Sequence, residues 1–153
     1  MGCGKNKKLS SGCIKDALNA ILDAQDAIED CPSSCFSNLL SPELVRGDTI
    51  PFTLRNNDGS PFYALGNVGR SSCFASIWFR VEEIRGKCAT LRVLRPFKGK
   101  APLDISDLVG KDECCISLEG QCKMKDLVKT DQCVEVDLTC FCAIQCLDPR
   151  LVR

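Results

Sequence analysis

Cysteine is the residue type that could do chemistry in this chain, because thirteen cysteines occur among 153 residues and histidine does not occur. The densest group lies near the C-terminus, at Cys133, Cys140, Cys142 and Cys146. Thiols at this density serve disulfide bonding, metal ligation or redox catalysis. Because the count is odd, at least one cysteine stays free, binds a ligand or pairs with another chain.

The spacing of the cysteines differs from that of known zinc and redox motifs. Zinc sites favour Cys-x-x-Cys pairs, whereas the close pairs here are Cys31/Cys35, Cys114/Cys115, Cys140/Cys142 and Cys142/Cys146. Thioredoxin-type motifs open a helix, whereas Cys31-Pro-Ser-Ser-Cys35 has one residue more and follows the predicted helix. A cysteine nucleophile would also lack a histidine base. We therefore expect no enzyme, no catalytic residue, no metal ligand and no cofactor, with a cytosolic zinc-binding module, in which two cysteine pairs meet in space, as the alternative.

Charge and hydropathy exclude several classes of partner. The 20 basic and 20 acidic residues balance, which argues against nucleic-acid or membrane-surface binding through bulk charge. No run approaches the roughly 20 apolar residues of a membrane span. The start Met1-Gly-Cys-Gly-Lys-Asn-Lys-Lys lacks the apolar region of a signal peptide. The sequence therefore predicts synthesis in a reducing cytoplasm, with any disulfide formed later.

The hydropathy pattern predicts one helix followed by several strands. Apolar residues recur at helical spacing from Cys13 to Glu29, and Pro32 stops the helix. A strong hairpin signal follows at Asn57-Asp58-Gly59. We predict strands at 48–55, 61–65, 75–81, 88–95, 114–118 and 133–142. The resulting fold class is mainly β (α+β): an N-terminal amphipathic helix followed by an antiparallel β-sandwich or jelly-roll-like domain.

Two regions follow from this pattern. Residues 1–45 form a flexible arm, the amphipathic helix and a Cys-Pro turn, and residues 46–153 form the antiparallel β domain. In the strand at 75–81, strict alternation places Trp78 on the outer face, and in the last strand Cys140 and Cys142 would share a face. For Cys73 and Cys88, each at the start of a strand, burial as a core thiol and a disulfide bond are both open. A monomeric binding protein with all cysteines reduced in its core is therefore a third interpretation.

Six segments of the chain closely resemble the spore coat protein Y/Z family, which includes exosporium protein Y of the outermost spore layer. The most specific are Gly47-Asp-Thr-Ile-Pro-Phe52 and Cys133-Val-Glu-Val-Asp-Leu-Thr-Cys-Phe-Cys-Ala-Ile-Gln-Cys-Leu147. The others are Cys31-Pro-Ser-Ser-Cys-Phe-Ser-Asn-Leu-Leu40, Ala64-Leu-Gly-Asn-Val-Gly69, Cys73-Phe-Ala-Ser-Ile-Trp-Phe-Arg-Val-Glu82 and Cys88-Ala-Thr-Leu-Arg-Val-Leu-Arg-Pro96. The match extends from the helix to the C-terminus and is weakest over residues 97–131.

The resemblance implies a structural protein of the outer coat, crust or exosporium of bacterial endospores, made in the mother-cell cytoplasm. It implies self-assembly, as a hexamer extending to a two-dimensional sheet, with disulfide cross-links, and contact with other spore coat or exosporium proteins. No nucleic-acid or membrane partner is implied. We expect interchain disulfides from Cys3, Cys13, Cys140, Cys142 and Cys146. The intrachain candidates are Cys31, Cys35, Cys73, Cys88, Cys114, Cys115, Cys122 and Cys133.

Overall fold

The computed structural model describes residues 12–29, 47–110 and 114–153. Helix α1 spans Cys13–Glu29, as its sequence predicts. Ile14, Leu18 and Ile21, spaced three or four residues apart, form its buried stripe. Cys3 and the Cys31/Cys35 turn lie outside the described residues, so the predictions made for them stay predictions.

The rest of the described chain is mainly β, which confirms the predicted fold class. The strands are β1 (Phe52–Asn56), β2 (Ala64–Gly66), β3 (Phe74–Ser76), β4 (Phe79–Arg85), β5 (Cys88–Lys98), β6 (Ala101–Pro102), β7 (Asp126–Asp137) and β8 (Phe141–Cys146). Two short helices, α2 (Ile105–Leu108) and α3 (Leu118–Cys122), lie between β6 and β7. Every pairing between these strands is antiparallel.

The main sheet runs β7-β5-β4-β1-β8, and β6 joins the far end of β5. β2 and β3 form a separate two-stranded sheet. Within the described ranges, β7 and β8 each pair with one named strand, so they form the two edges of the main sheet. Helix α1 packs against β4 and β8.

Gln25 fastens helix α1 to the strands. Its side chain is fully buried, and its amide donates a hydrogen bond to the carbonyl of Val81 at 2.9 Å. Its side-chain oxygen accepts a hydrogen bond from the backbone N–H of Ile50 at 3.1 Å. A buried polar side chain is tolerated when its hydrogen-bonding groups are satisfied in this way. The glutamine therefore sets the position of the helix along the sheet.

The buried residues form two clusters on the strands. The first joins α1 to the main sheet through residues such as Leu18, Phe52 and Phe79. The second contains Trp78 with Leu94, Leu108 and Leu127. Trp78 is only 2% exposed, so the prediction that it lies on an outer face is wrong. Residues distant in sequence cover this second face, and the alternating pattern cannot show such a cover.

The predicted strand over 133–142 is also wrong, because a short turn interrupts it. β7 ends at Asp137, whose carboxylate accepts a hydrogen bond from the backbone N–H of Thr139 at 2.9 Å. A single 3-10 turn spans Leu138–Cys140, and Leu138 donates its N–H to the carbonyl of Lys87 at 2.8 Å. Chain direction changes here, and the cysteines of the C-terminal group are divided between β7, the turn and β8.

Three other predicted strands differ from the structure in extent or partner. Residues 114–118 make only one bridge, between Val109 and Ile116, and Ser117 then caps α3. The first strand begins at Phe52 rather than at residue 48. The turn at Asn57-Asp58-Gly59 is present, with Asn56 donating its N–H to the carbonyl of Ser60 at 2.8 Å. The strand after the turn pairs with β3 instead of β1.

Candidate assembly surface

All ten cysteines that the structure describes are exposed: Cys13, Cys73, Cys88, Cys114, Cys115, Cys122, Cys133, Cys140, Cys142 and Cys146. Cysteine is ordinarily among the most buried residue types, because a thiol packs like a small apolar group. The core interpretation of Cys73 and Cys88 is therefore wrong, and so is the general one for the described cysteines. Thiols on the surface are accessible to a second molecule.

Cys88 and Cys133 share the outer face of the main sheet. Cys88 stands opposite Asp137 in the β5/β7 pair, and Cys133 stands opposite Arg92. Four residues separate the two register positions, which is roughly 13 Å along a strand. A disulfide requires Cα atoms within about 7 Å. These two thiols are therefore too far apart to bond to each other in this register.

Beside Cys133 lies a network of paired charges on the same face. Glu82 contacts the guanidinium groups of Arg80 and Arg92 at 2.8 and 2.6 Å. Asp48 contacts Lys129 at 2.7 Å and Arg80 at 3.7 Å. The cluster lines a polar pocket of about 380 Å³. Its acids and bases neutralise one another, so it supplies a stable, hydrophilic outer face.

The carboxyl groups of this network are held in their ionised form. Partial burial acts to raise the pKa of Glu82, but hydrogen bonds and charge attraction from Arg92 and Arg80 outweigh it and lower the pKa. Burial likewise opposes, and the hydrogen bonds from Lys129 and Thr49 with the nearby cations dominate, so that the pKa of Asp48 is lowered. The network therefore remains charged at neutral pH and ties β7 to β4 and to the segment before β1.

An apolar groove of about 390 Å³ is the second concave feature, and Cys114 and Cys115 lie on its wall. Tyr63 and Leu65 line it and remain half-exposed, at 54% and 48%. Sequence reasoning missed this groove, because the residues that line it come from β2, β3, α2 and the segment before α3. Hydropathy along a single segment could not bring them together.

The remaining thiols of the C-terminal group lie around β8. Cys140 ends the 3-10 turn, and Cys142 and Cys146 lie on β8 itself. The predicted sharing of one strand face by Cys140 and Cys142 is therefore wrong, since only Cys142 is in a strand. The Cys142 thiol lies 3.1 Å from the carbonyl oxygen of Asn56, to which it donates. β8 thus presents two exposed thiols near its two ends.

Within the described ranges, no group of three or more cysteines and carboxylates is arranged to hold a metal ion. None of the helices in those ranges is both long enough and apolar enough to cross a membrane.

Comparisons with known proteins agree with the resemblance seen in the sequence. The family model described as Spore coat protein Z matches residues 1–149. Spore coat protein Z of Bacillus subtilis (strain 168) is 44% identical over 149 residues, which covers 94% of this chain and 94% of that protein. No solved structure matches the chain. A match of this extent in both comparisons shows that the chain belongs to the spore coat protein Z family.

Proposed function

We propose that this chain is a structural, non-catalytic protein of the bacterial spore coat that assembles with itself and is cross-linked by disulfides. The observation that carries the proposal is the exposure of all ten described cysteines in a member of the spore coat protein Z family. Exposed thiols contribute nothing to the packing of this domain, whereas they are placed to bond a neighbour. The chain does not need them to fold, since a domain of this size buries a sufficient core.

In the finer form of the proposal, the chain forms hexamers that extend into a two-dimensional lattice in the outer coat, crust or exosporium. Noncovalent contacts build the hexamer first, because a ring closes through repeated heterologous contacts. Disulfides then lock the lattice. Within a lattice each bond forms at high effective concentration, so many weak links together become nearly permanent.

Timing of the cross-links follows from the compartment. We propose synthesis in the reducing mother-cell cytoplasm, where thiols stay free, and oxidation when the spore is released. The near balance of charges removes the long-range repulsion that would oppose assembly. Other spore coat or exosporium proteins are the proposed docking partners of the layer.

The test is negative-stain electron microscopy of the purified protein beside gels run with and without reductant. Rings or ordered sheets that resist boiling in detergent until a thiol is added are the expected result. A monomer with free thiols under oxidising conditions would overturn the proposal, and stoichiometric zinc in that monomer would favour the zinc-binding alternative.

Replacing Cys3 and Cys13 with Ser tests the arm as a source of interchain bonds. Ring-sized particles should persist, because noncovalent contacts build them, but boiling in detergent without reductant should release more monomer. Replacing Cys73 and Cys122 with Ser is the matched control, since these are two of the intrachain candidates. Unchanged ladders in the arm variant would contradict the assignment.

A further inference from the structure

Strand β8 forms an edge of the main sheet that nothing charged protects. Its sequence Phe-Cys-Ala-Ile-Gln-Cys contains no charged residue, no proline and no glycine. Among the described residues it pairs only with β1. Edge strands in native proteins are usually blunted by charges, proline or a cover, because an open row of N–H and C=O groups invites another strand. An unguarded edge on an assembling protein is therefore a candidate contact.

The hydrogen-bond pattern shows which groups of β8 face outward. Leu147 donates its N–H to the carbonyl of Pro51 at 2.8 Å, so this pair faces inward, toward β1. In an antiparallel ladder the bonded pairs alternate, and the register pairs Thr53 with Gln145 and Leu54 with Ile144. The main-chain groups of Ile144 and Cys146 therefore point away from β1.

The sequence of β8 is self-complementary about Ile144. When two copies pair antiparallel across a two-fold axis at Ile144, Cys142 of one copy stands opposite Cys146 of the other. Ala143 stands opposite Gln145 in the same way, so no like charges meet. Both cysteines are exposed, and each pair occurs twice because the contact is symmetric.

The spacing of this arrangement suits a disulfide. Directly opposite residues in an antiparallel pair have Cα atoms about 4.5–5.5 Å apart, and disulfides span Cα distances of about 4.4–6.8 Å. Other two-fold registers that keep the outward groups paired overlap fewer residues of β8. The register centred on Ile144 therefore gives the longest ladder and both thiol pairs together.

We propose that β8 is a docking edge for β8 of a second copy, closed by two disulfides between Cys142 of one chain and Cys146 of the other. This rests on the proposed self-assembly and names the contact that joins two copies across a two-fold axis. A lattice of rings needs such a second contact, since the heterologous contacts only close the rings. The main sheet then continues through both copies.

The oxidation is a thiol–disulfide exchange with a low-molecular-weight disulfide. The thiolate of Cys142 attacks one sulfur of that disulfide and releases one small thiol. The thiolate of Cys146 from the second copy then attacks the mixed disulfide and releases the other. Two protein thiols become one disulfide, the small disulfide is reduced to two thiols, and the two thiol protons pass to the released thiolates.

Disulfide mapping on mixed chains tests the contact directly. Full-length chains with light and heavy nitrogen isotopes are mixed under reductant and oxidised with glutathione disulfide. Cleavage after Phe141 and Leu147 then releases the peptide 142–147. We expect a disulfide-linked peptide dimer that contains one light and one heavy copy. A peptide that carries an internal Cys142–Cys146 bond, or one with both thiols free, overturns the inference.

Single variants test the register. Cys142→Ser alone and Cys146→Ser alone should each lose the peptide dimer, because every bond needs one residue of each kind. An equal mixture of the two variants should regain one bond per dimer. A dimer that persists in either single variant overturns the register, since it would need Cys142 to meet Cys142 or Cys146 to meet Cys146.

A charge pair tests the strand contact without touching the thiols. Ala143→Glu with Gln145→Glu places like charges opposite each other across the two-fold axis, and Ala143→Lys with Gln145→Lys does the same. Each variant alone should lose the light–heavy peptide dimer, and their mixture should restore it. Restoration confined to the mixture excludes misfolding as the cause. Equal yields in all three samples overturn the strand contact.

The outcomes also separate this inference from the proposed function. Reductant-sensitive rings or sheets that lack the mixed peptide dimer overturn the β8 contact and leave the function standing. A monomer with all thiols free after oxidation overturns both.

Discussion

The two edges of the main sheet, β7 and β8, are built in opposite ways. β7 is twelve residues long and exposes Asp131, Glu135 and Asp137 along its outer face. β8 is six residues long and carries no charge. Both edges carry exposed cysteines. Only one of them therefore has the charges by which natural proteins discourage strand addition.

β7 is also partly covered by other segments, in addition to being charged. Near its start, Arg153 donates its N–H to the carbonyl of Leu127 at 2.9 Å. In its middle, Gln132 exchanges hydrogen bonds with the backbone N–H and side chain of Asn67, both at 2.9 Å. The contrast indicates that assembly is directed to one edge. A thiol on a guarded edge serves a partner that approaches the face of the sheet, whereas a thiol on an open edge serves a partner strand.

The largest expected effect comes from breaking the support under each edge. Leu18 of α1 and Leu127 of β7 are both fully buried, in different clusters. Leu18→Ala or Leu127→Ala should lower the free energy of unfolding by about 3 kcal/mol, from lost burial and the cavity left behind. Urea unfolding under reductant measures this, and hydrogen exchange should rise most in β8 for the first variant and in β7 for the second.

The control for these variants is Leu118→Ala, because Leu118 is 75% exposed. It should change the free energy of unfolding by less than about 0.5 kcal/mol. The same exchange pattern in both buried variants would show that the two edges do not rest on separate clusters.

A smaller effect should appear on acidification and should fall on the β7 side. Folding lowers the pKa of Asp48 and of Glu82, so their charged forms stabilise the fold. This contribution is complete above their ordinary values of 3.8 and 4.5 and is lost as the pH falls below them. Hydrogen exchange should therefore show β7 loosening before β8 as the pH is lowered toward 3.

The matched control is Glu82→Gln, which removes one of these carboxylates. It should reduce the loss of stability on acidification, measured by urea unfolding at successive pH values. β8 carries no carboxylate, so an equal loosening of both edges in the unmodified chain would contradict the assignment.

The smallest expected effect comes from removing the charges that guard β7. Asp131→Asn with Glu135→Gln should favour self-association by about 0.5 kcal/mol, since two side chains that repel an approaching strand become neutral. Sedimentation velocity under reductant measures it. Asp23→Asn with Asp26→Asn is the control, because it neutralises two exposed carboxylates on α1 and changes the net charge by the same amount. An equal shift in that variant would show that only net charge matters.

Local patterns predicted the elements whose stability is local. Helix α1 was predicted with its observed bounds, because its apolar spacing and the proline beyond it act within the segment. The turn at Asn57-Asp58-Gly59 was predicted for the same reason, and Gly59 adopts the positive φ of 89° that glycine tolerates. Strand β5 was predicted from its length and β-branched content, although it runs three residues further.

The errors all concern relations between distant segments. Trp78 is buried because α2, β7 and the C-terminal residues cover it, which no pattern within β4 reports. The C-terminal strand breaks at Leu138–Cys140 because Asp137 caps the turn and Lys87 accepts a hydrogen bond from Leu138. Both outcomes depend on hydrogen bonds or cover supplied from elsewhere in the chain.

Composition and spacing alone established the thiol chemistry of this protein: many cysteines, no histidine, and a family resemblance that the comparisons confirm. Those are properties of residues, and folding does not alter them. The exposure of the described thiols and the edge position of β8 were decided by the tertiary structure, because both depend on which strands find neighbours. The register that places Cys142 and Cys146 on an open edge arises only when β1 pairs with residues about ninety positions away.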